Sequence, residues 1–299
     1  MLPLLSHIAV MLLIVESGAT KTDWLALGED GPVVSVRTGG MNISSMSESA
    51  VNEVANEAAA ELAKEGVSGF GNVHFYAAGL IASGQEAVPP QAEGLDGVLR
   101  SLFPGALIEY ASDTLAAARA VCGHKPGIAA ILGTGSNSCL YDGSRIVRNV
   151  RSGGFILGDE GGGARLGKLF VSDFLKGLVP EPVAGEFAAD FKVDYMTVVQ
   201  NVYKGGSPAG YLGAFAPWIM ARYTSCEYVR ELVDSNFRDF VTRVLLQYDA
   251  KTYPVGVVGG FGYANREALE RVAGPYGIRF GKFLASPMEG LVEYHLGRY

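Results

Sequence analysis

The chain has 299 residues, enough for two domains that each bury an apolar core. Its formal net charge is -7, from 24 basic and 31 acidic residues, so no cationic surplus is present to neutralise a nucleic-acid backbone. Only 18% of the residues are charged and 40 are glycine, a composition typical of a compact, turn-rich enzyme. We therefore expect two lobes around a cleft and no nucleic-acid partner.

The cysteines and histidines are scattered along the chain. Cys122, Cys139 and Cys226 form no C-x-x-C pair and are odd in number, which argues against a disulfide framework. The nearest Cys/His pair, Cys122 and His124, lacks the further ligands of a zinc site. We expect a reducing, cytoplasmic compartment and no structural metal.

The apolar start of the chain, residues 1–15, resembles a secretory signal. It has no basic n-region, however, and it continues directly into a polar, glycine-containing turn. We interpret it as a strand and expect no membrane partner. A true start at Met11 would leave residues 1–10 as an ill-ordered extension.

Residues 11–36 predict three consecutive strands, joined by a Gly/Thr/Lys turn and a Glu-Asp-Gly turn. Residues 127–150 repeat this plan, with the segments IAAIL, GTGSNS, SCLYD and RIVRNV in the same order. A repeated plan indicates two similar lobes, each pointing one glycine-rich turn at a shared cleft.

Between the two repeats, apolar residues at helical spacing predict a helix that opens with a capping box of Ser45 and Glu48. Further strands and helices alternate there, which predicts parallel crossovers: strands near 73–78 and 107–110, helices near 95–103 and 114–121. After residue 163 the pattern is mostly helical. The predicted elements are helices at 166–178, 195–203, 209–223, 227–249, from 265 and at 288–295, and strands at 255–258 and 278–283. We expect a first lobe of residues 11–113 completed by the C-terminal helix 287–299, and a second lobe of residues 114–286 with a helical insertion.

Two glycine-rich turns are candidate phosphate sites. ESGATKTDW, at 16–24, follows an apolar strand and offers small residues whose backbone N–H groups can approach an anion. GTGSN, at 133–137, offers a similar backbone with two hydroxyls and an amide. The first turn alone could be an ordinary hairpin, and it lacks Walker A spacing. The matching places of the two turns in the two repeats predict a clamp for one polyphosphate.

Three further segments are candidate site elements. GGFG, at 259–262, lies between a strand and a helix, where its backbone could contact a purine or ribose, although such turns also use glycine for packing alone. Asp113 ends a strand and opens a helix, so it is either an N-cap or an acceptor for a substrate proton; with the phosphate turns on either side, we favour the acceptor. Residues 152–163 place Asp159 and Glu160 in a run that predicts a tight, backbone-exposed loop, suited to sugar hydroxyls or a metal.

The segments ESGATKTDW, ILGTGSNS, FILGDEGGGARLGK and SPMEGLVEYH resemble the BadF/BadG/BcrA/BcrD ATPase family, and within it the N-acetylglucosamine kinase branch. The resemblance extends from about Leu12 to His295. It implies an α/β fold of two ribonuclease-H-like lobes around a nucleotide cleft, as in actin, hexokinase and the 70-kDa heat-shock proteins. It also implies ATP and Mg²⁺ as cofactors and an amino sugar as substrate, and it leaves assembly as a homodimer open.

The resemblance further implies roles for individual residues. Asp113 would be the catalytic base, and Glu16 would lie near magnesium, where the wider superfamily usually has Asp. The residues implied to bind ATP are Gly18, Ala19, Thr20, Lys21, Gly133, Thr134, Gly135, Ser136, Gly259, Gly260, Phe261 and Gly262. The residues implied to bind the sugar are Asn42, Asn137, Gly153, Gly154 and Asp159.

Three alternative functions stay open at this point. The acceptor could be glucosamine, N-acetylmuramic acid or a plain hexose. The chain could be an ATP-driven activator of 2-hydroxyacyl-CoA dehydratases, which carries an iron–sulfur cluster, although the thiolates that such a cluster needs are missing from the matching loops. It could also be a nucleotide-dependent regulatory protein, against which Asp113 and Asp159 argue.

Overall fold

The computed structural model describes residues 11–18, 21–41, 43, 46–80 and 88–299. The expected extension 1–10 and three predicted site residues lie outside the described residues: Ala19, Thr20 and Asn42. The chain divides into two compact units. The first runs to His124 and takes in Ser144–Ile146 and Pro287–Tyr299; the second comprises Lys125–Gly143 and Val147–Ser286. No helix in the described part of the chain is long and apolar enough to cross a membrane.

The first unit is built on a five-stranded sheet of order β3-β2-β1-β4-β5. Its strands are β1 (Leu12–Ser17), β2 (Lys21–Leu27), β3 (Pro32–Gly39), β4 (Asn72–Ala77) and β5 (Leu107–Ser112). The first three strands form antiparallel hairpins, whereas β1, β4 and β5 run parallel. The predicted hairpins and parallel crossovers are confirmed.

Four α-helices of the described chain belong to this unit: α1 (Glu48–Lys64), α2 (Glu93–Leu102), α3 (Asp113–Cys122) and the C-terminal α13 (Met288–His295). A short 3-10 turn, Pro90–Ala92, leads into α2. The predicted start of α1, a capping box of Ser45 and Glu48, is wrong, and Ser45 itself lies outside the described residues. The N-cap of α1 is Ser47, whose side chain accepts the N–H of Ala50 at 3.3 Å, so Glu48 is the first helical residue and not the third.

The second unit repeats the sheet of the first, with order β10-β9-β6-β7-β8. Its strands are β6 (Gly127–Leu132), β7 (Ser136–Tyr141), β8 (Ile146–Arg148), β9 (Val255–Val258) and β10 (Phe280–Leu284). Again the first two strands form an antiparallel hairpin, and β6, β9 and β10 run parallel. The duplication of plan predicted from the sequence is therefore present in the strand order of both sheets.

The remaining helices lie in the second unit: α4 (Gly154–Leu157), α5 (Gly163–Leu175), α6 (Val183–Phe191), α7 (Tyr195–Tyr203), α8 (Pro208–Gly213), α9 (Ala216–Met220), α10 (Glu227–Arg243), α11 (Gly260–Ala264) and α12 (Arg266–Ala273). The single helix expected over 209–223 is two helices, because Pro217 in the first turn of α9 cannot donate the N–H that would continue α8. The helix expected over 227–249 ends at Arg243 and is followed by a 3-10 turn, Leu245–Gln247.

An aromatic cluster fixes α5 within the second unit. The ring of Phe170, on α5, is fully buried and meets Phe187 and Trp218 edge-on, with ring centroids 4.9 and 5.8 Å apart. Burying one such ring stabilises the fold by about 1.5–3 kcal/mol. Because α5 follows the Gly-rich loop directly, this packing also sets where the loop ends.

A buried polar network holds α3 and α13 against β4 and β5. Arg119 donates to the hydroxyl of Tyr76 at 2.6 Å and to Glu109 Oε1 at 2.9 Å, and His295 Nε2 lies 3.0 Å from the same hydroxyl. Burial, together with His74 and Arg119, lowers the pKa of His295 to about 3, so this imidazole is neutral. The network fixes the helix that begins at Asp113.

Candidate active site

The parallel strands of the first unit end together. Ser17 of β1 is in register with Ala77 of β4, which is in register with Ser112 of β5. Glu16 lies one residue before this edge, and Asp113 comes directly after it. In open α/β sheets, ligands bind beyond the carboxyl ends of the strands. The two predicted acidic residues thus lie at the edge where a ligand is expected.

Asp113 is not the N-cap of α3. That role belongs to Ser112, whose hydroxyl accepts the N–H of Leu115 at 3.1 Å. Asp113 accepts a hydrogen bond from the Thr114 hydroxyl at 3.1 Å, and no described cation pairs with it. Burial raises the pKa of Asp113, although the bonds from Thr114 oppose the shift. The interpretation as a cap is therefore excluded, and a half-buried carboxyl with a raised pKa is typical of a general base.

Glu16 faces other acidic groups. It is opposite Asp23 in the β1–β2 pair. Burial, Asp23 and Asp113 raise the pKa of Glu16 to about 7, whereas Lys21 acts in the opposite direction. Carboxylates that repel one another in this way are stabilised by a bound cation. Mg²⁺ suits such a place, because it takes one or two carboxylates and fills its other positions with water and phosphate oxygens.

No closed metal cage accompanies Glu16: in the described part of the chain no three His, Cys, Asp or Glu side chains group as metal ligands. The donor set fits Mg²⁺ bound jointly by protein, phosphate and water, and does not fit a structural ion held by protein alone. Glu16 is therefore the residue of this edge that suits the implied magnesium.

Lys21, predicted to bind phosphate, forms an ion pair with Asp23. Its Nζ lies 2.9 Å from Asp23 Oδ2, while Arg37 Nε lies 2.6 Å from Asp23 Oδ1. Burial alone would raise the pKa of Asp23, but the hydrogen bonds from Arg37 and Lys21 lower it. Nearby, at the end of β1, the Ser17 hydroxyl donates to the carbonyl of Met41 at 2.8 Å. Met41 precedes the predicted sugar residue Asn42 in the sequence.

The predicted phosphate turn of the second unit joins β6 to β7. Gly133 N–H donates to Gly135 O at 3.0 Å, and the carbonyls of Gly133 and Thr134 accept the N–H groups of Gly163 and Ala164 at 2.9 Å each. The turn is thereby attached to the first residues of α5. A Cβ at Gly133 would meet nothing within 4 Å, so its backbone borders open space where an anion could approach.

The third glycine cluster lies beside this turn. Gly259 has φ +120°, and a Cβ there would lie 2.5 Å from the Leu132 carbonyl and 3.2 Å from Gly133 N. Only glycine allows that approach. A Cβ at Gly260 would again meet nothing within 4 Å. The structure thus brings together 133–136 and 259–262, the two segments of this unit that were predicted to bind ATP.

Asp159 lies against the phosphate turn. It is 8% exposed, has φ +56°, and accepts the Ser136 N–H at 3.3 Å through Oδ1. A Cβ at Gly135 would come within 2.8 Å of Asp159 Oδ2. Burial raises the pKa of Asp159, opposed by the bond from Ser136. A residue predicted to bind sugar is therefore in contact with residues predicted to bind phosphate.

The expectation of a backbone-exposed loop over 152–163 is wrong in two respects. The loop contains a helical turn, α4, which follows Gly153 at φ +74° and begins at Gly154 at φ +68°. Its base is closed by the Asp159 N–H donating to Ser152 O at 3.1 Å, and residues 158–163 are buried. Tertiary contacts, which sequence periodicity does not report, bury the acids. Asn137, on β7, uses its side-chain oxygen to accept from Ser138 N–H and Asn149.

A cavity of about 730 Å³ is lined by residues that come directly after the third glycine cluster in the sequence. It lies between the end of α9, the α11–α12 junction and β10, and its lining includes Tyr223, Tyr263, Asn265, Arg266 and Phe283. The volume is within the range of small-molecule pockets, which combine aromatic walls with a few polar groups.

Comparison with known proteins identifies relatives among solved structures. A candidate N-acetylglucosamine kinase from Porphyromonas gingivalis is 37% identical, covers 96% of this chain with 99% of its own, and superposes with a TM-score of 0.87. The chain belongs to the family of this protein. No protein-family model matches the chain, and no curated protein matches it.

More distant structures show the fold of this family. A candidate N-acetylglucosamine kinase from Chromobacterium violaceum is 19% identical over 96% of this chain and 99% of its own, with a TM-score of 0.71. A glucokinase of the ROK family from Streptomyces griseus, solved with glucose and AMPPNP, is 16% identical over 95% and 97%, with a TM-score of 0.55. The predicted fold of two actin-like lobes, as in sugar kinases, is confirmed. The narrower resemblance to the BadF/BadG/BcrA/BcrD family has no matching family model to support it.

Some residues of the site were missed from the sequence. Asp23 and Arg37 pair across the β2–β3 hairpin, and the available signal was the alternation that puts Lys21 and Asp23 on one face of a strand. Residues of the cavity, such as Tyr263 and Phe283, are far apart in sequence and show no shared motif.

Proposed function

We propose that this protein is an ATP-dependent kinase that phosphorylates N-acetylglucosamine on its 6-hydroxyl. The observation that carries the proposal is the state of Asp113: a carboxyl group at the carboxyl end of the parallel strands, which does not cap α3, pairs with no cation among the described residues, and has a raised pKa. The relative from Porphyromonas gingivalis supports the choice of substrate, since it is 37% identical over nearly the whole of both chains.

Asp113 would act as the general base. In phosphoryl transfer the transition state is loose, so the protein contributes mainly alignment and charge neutralisation. Asp113 would accept the proton of the sugar hydroxyl as that oxygen approaches the γ-phosphorus, and its raised pKa brings it closer to the operating pH. Exclusion of water would prevent hydrolysis from competing with transfer.

Magnesium would be held through Glu16, with water and phosphate oxygens completing its shell. When bound, Mg²⁺ supplies charge neutralisation on the phosphates. Glu16 suits this role because its carboxylate is crowded by Asp23 and Asp113, and a cation relieves that repulsion.

ATP would use glycine backbone in both units. Gly18 and Lys21, with Ala19 and Thr20, would form one phosphate loop, and residues 133–136 the other. Gly259–Gly262 would lie beside the adenosine. The open space beside Gly133 and Gly260 supports this assignment, and the adjoining cavity offers the aromatic walls of Tyr263 and Phe283 to a purine.

The acceptor sugar would be bound by Asn42, Asn137, Gly153, Gly154 and Asp159. Glucosamine, N-acetylmuramic acid and plain hexoses are the alternatives, since glucokinases share this fold. The test is an ADP-release screen over hexoses and amino sugars, followed by mapping of the phosphate on the product. We expect the highest kcat/KM for N-acetylglucosamine and phosphate on its 6-oxygen; ATP hydrolysis that no sugar stimulates would overturn the proposal, and visible absorbance of an iron–sulfur cluster would favour the activator.

Glu16→Gln is expected to raise the Mg²⁺ concentration needed for half-maximal turnover and to abolish the pH dependence of that concentration. Because the pKa of Glu16 is raised to about 7, the wild-type carboxyl is increasingly protonated below that pH and cannot hold a cation. The wild-type half-saturating Mg²⁺ concentration should rise by up to about tenfold per pH unit as the pH falls below neutrality. Steady-state titrations of Mg²⁺ at several pH values measure this.

The same variant should be more stable than the wild type at alkaline pH without Mg²⁺. A carboxyl whose folded pKa lies above its unfolded value costs nothing below the unfolded pKa; the cost grows as the pH rises from there to about 7 and is fully present above it. Removing the charge should therefore recover on the order of 2–3 kcal/mol, visible as a higher Tm. Glu29→Gln, on the exposed β2–β3 turn, is the control.

In the Mg²⁺ titration, a Mg²⁺ requirement of Glu16→Gln identical to that of the wild type would exclude Glu16 from the metal site.

A further inference from the structure

Helix α5 carries two cations, Arg165 and Lys168, that both reach the loop 152–159. Residues three apart lie on one face of a helix. Lys168 Nζ donates to the carbonyl of Phe155 at 2.9 Å and stands 5.2 Å from the centroid of the Phe155 ring. Lys168 thus contacts α4 at both the backbone and the side chain of one residue, Phe155, by a hydrogen bond and a cation–π contact.

Arg165 divides its bonds among several elements. One guanidinium nitrogen lies 3.3 Å from Glu160 Oε1 and 3.5 Å from Gly158 O, and the other lies 2.5 Å from Asp239 Oδ2 on α10. Lys168, by contrast, donates its one side-chain hydrogen bond among the described residues to the loop. Within α4 itself, the side-chain hydrogen bond from α5 is therefore the one that Lys168 donates to Phe155, whereas Arg165 reaches Gly158, the residue after the turn.

The ammonium of Lys168 also balances the two acids at the end of the loop. Asp159 and Glu160 are each 8% exposed. Burial and Arg165 lower the pKa of Lys168, while Asp159 and Glu160 oppose the shift. In the same way, the charge of Lys168 favours the ionised form of Asp159, the residue that accepts the Ser136 N–H of the phosphate turn. Lys168 is thus coupled to Asp159 as well as to α4.

The loop 152–159 has few other contacts that fix its conformation, so the contacts of Lys168, here called the tether, matter for it. Gly153, Gly154 and Gly158 leave its backbone with large conformational freedom, and its tip residues Ile156 and Leu157 are 78% and 83% exposed, so they contribute little packing. Inside the loop, the Gly158 N–H donates to Gly154 O at 2.8 Å, but this bond does not connect α4 to the rest of the unit. Beyond the base of the loop, Phe155 packs against the core, Lys168 holds the Phe155 carbonyl, and Arg165 lies 3.5 Å from the Gly158 carbonyl.

We infer that Lys168 is a positioning residue for the acceptor: by holding Phe155 at its carbonyl and its ring, it keeps the backbone of Gly153 and Gly154 in the conformation that binds the sugar. This inference rests on the proposed function, in which those glycines bind the acceptor. In this role Lys168 would act through Phe155 and the loop, and not on the reacting atoms. Displacing a bound group by about 1 Å can cost about a hundredfold in rate, so loss of the tether should have a large effect.

The kinetic test compares Lys168→Met, Lys168→Arg and the wild type, with Lys176→Met as the matched control. Lys176 lies just beyond the C-terminal end of α5, is exposed, and donates its side-chain hydrogen bond to the Ser172 hydroxyl at 2.9 Å. We expect Lys168→Met to raise KM for the sugar at least about tenfold and KM for ATP less than about threefold. Lys168→Arg should recover most of the loss, because it keeps the charge and a donor, and Lys176→Met should match the wild type.

Hydrogen exchange over residues 152–160 supplies a readout that needs no turnover. Lys168→Met should exchange faster in this segment alone, with other peptides of the second unit unchanged. Equal increases in KM for the sugar and for ATP, with a lowered Tm and no recovery of either KM in Lys168→Arg, would show a merely structural role and overturn the inference. Unchanged KM for the sugar and unchanged hydrogen exchange would also overturn it. A wild-type protein that no sugar stimulates would instead overturn the proposed function, and the acceptor role with it.

Discussion

Replacing Asp113 by asparagine is expected to abolish sugar-dependent ADP release while leaving ATP binding intact. Asparagine keeps the size and the hydrogen bond from Thr114 but cannot accept a proton. General-base catalysis contributes about 10²–10⁴-fold to a rate, so kcat should fall by that amount. Fold and helix should survive, because Ser112 and not Asp113 caps α3. A coupled ADP assay and an ATP titration by calorimetry measure the two quantities.

The pH profile provides a second measure of the same group. A general base must be ionised, so wild-type kcat/KM should fall as the pH drops through the raised pKa of Asp113. Asp96→Asn is the control: this carboxyl lies on α2 of the same unit and bonds Arg100 and Tyr110. Turnover by Asp113→Asn equal to that of the control variant would exclude Asp113 as the base.

The duplicated strand plan was predictable because it depends on local rules. Apolar runs bounded by Gly, Asp and Lys turns mark the hairpins, and each run needs only its own neighbours to form. Helices with strong periodicity were predicted equally well; α7 and α13 begin and end where the sequence indicated. The helices that were missed are short or rich in glycine, like α4 and α11, or depend on tertiary burial, as α6 does through Phe187.

The site was predictable as a set of turns but not as a set of contacts. A high density of glycine indicated where the backbone closely approaches a ligand or another segment, and Gly259 does approach the 133–136 turn. The pairing of Asp159 with Ser136, 23 residues away, leaves no local signal, because it depends on how the loop folds back. The contacts of Asp23 and Lys168 also leave no local signal in the sequence. The partner of Asp23, Arg37, lies on the next strand, and the pattern of α5 does not distinguish Lys168 from an ordinary helix-surface lysine.

Gly133→Ala is expected to weaken ATP binding at least about tenfold while leaving sugar binding and stability nearly unchanged. A methyl group at Gly133 would meet no protein atom within 4 Å and the residue does not have a positive φ, so the substitution should not disturb the fold. The open space that the methyl would enter is where a phosphate oxygen must approach the backbone N–H groups. KM for ATP from initial rates, and Tm from thermal unfolding, measure the two effects.

Gly206→Ala is the matched control for this prediction, since Gly206 belongs to the same unit, is exposed, and would also place its Cβ in open space. If both variants bind ATP as the wild type does, the space beside Gly133 is not the phosphate site, and the proposed role of residues 133–136 in ATP binding is excluded. If only Gly133→Ala loses affinity, the effect comes from the place of the methyl group and not from the loss of backbone freedom that any glycine-to-alanine change brings. The comparison thereby separates ligand approach from chain entropy, the two physical reasons for a glycine at this turn.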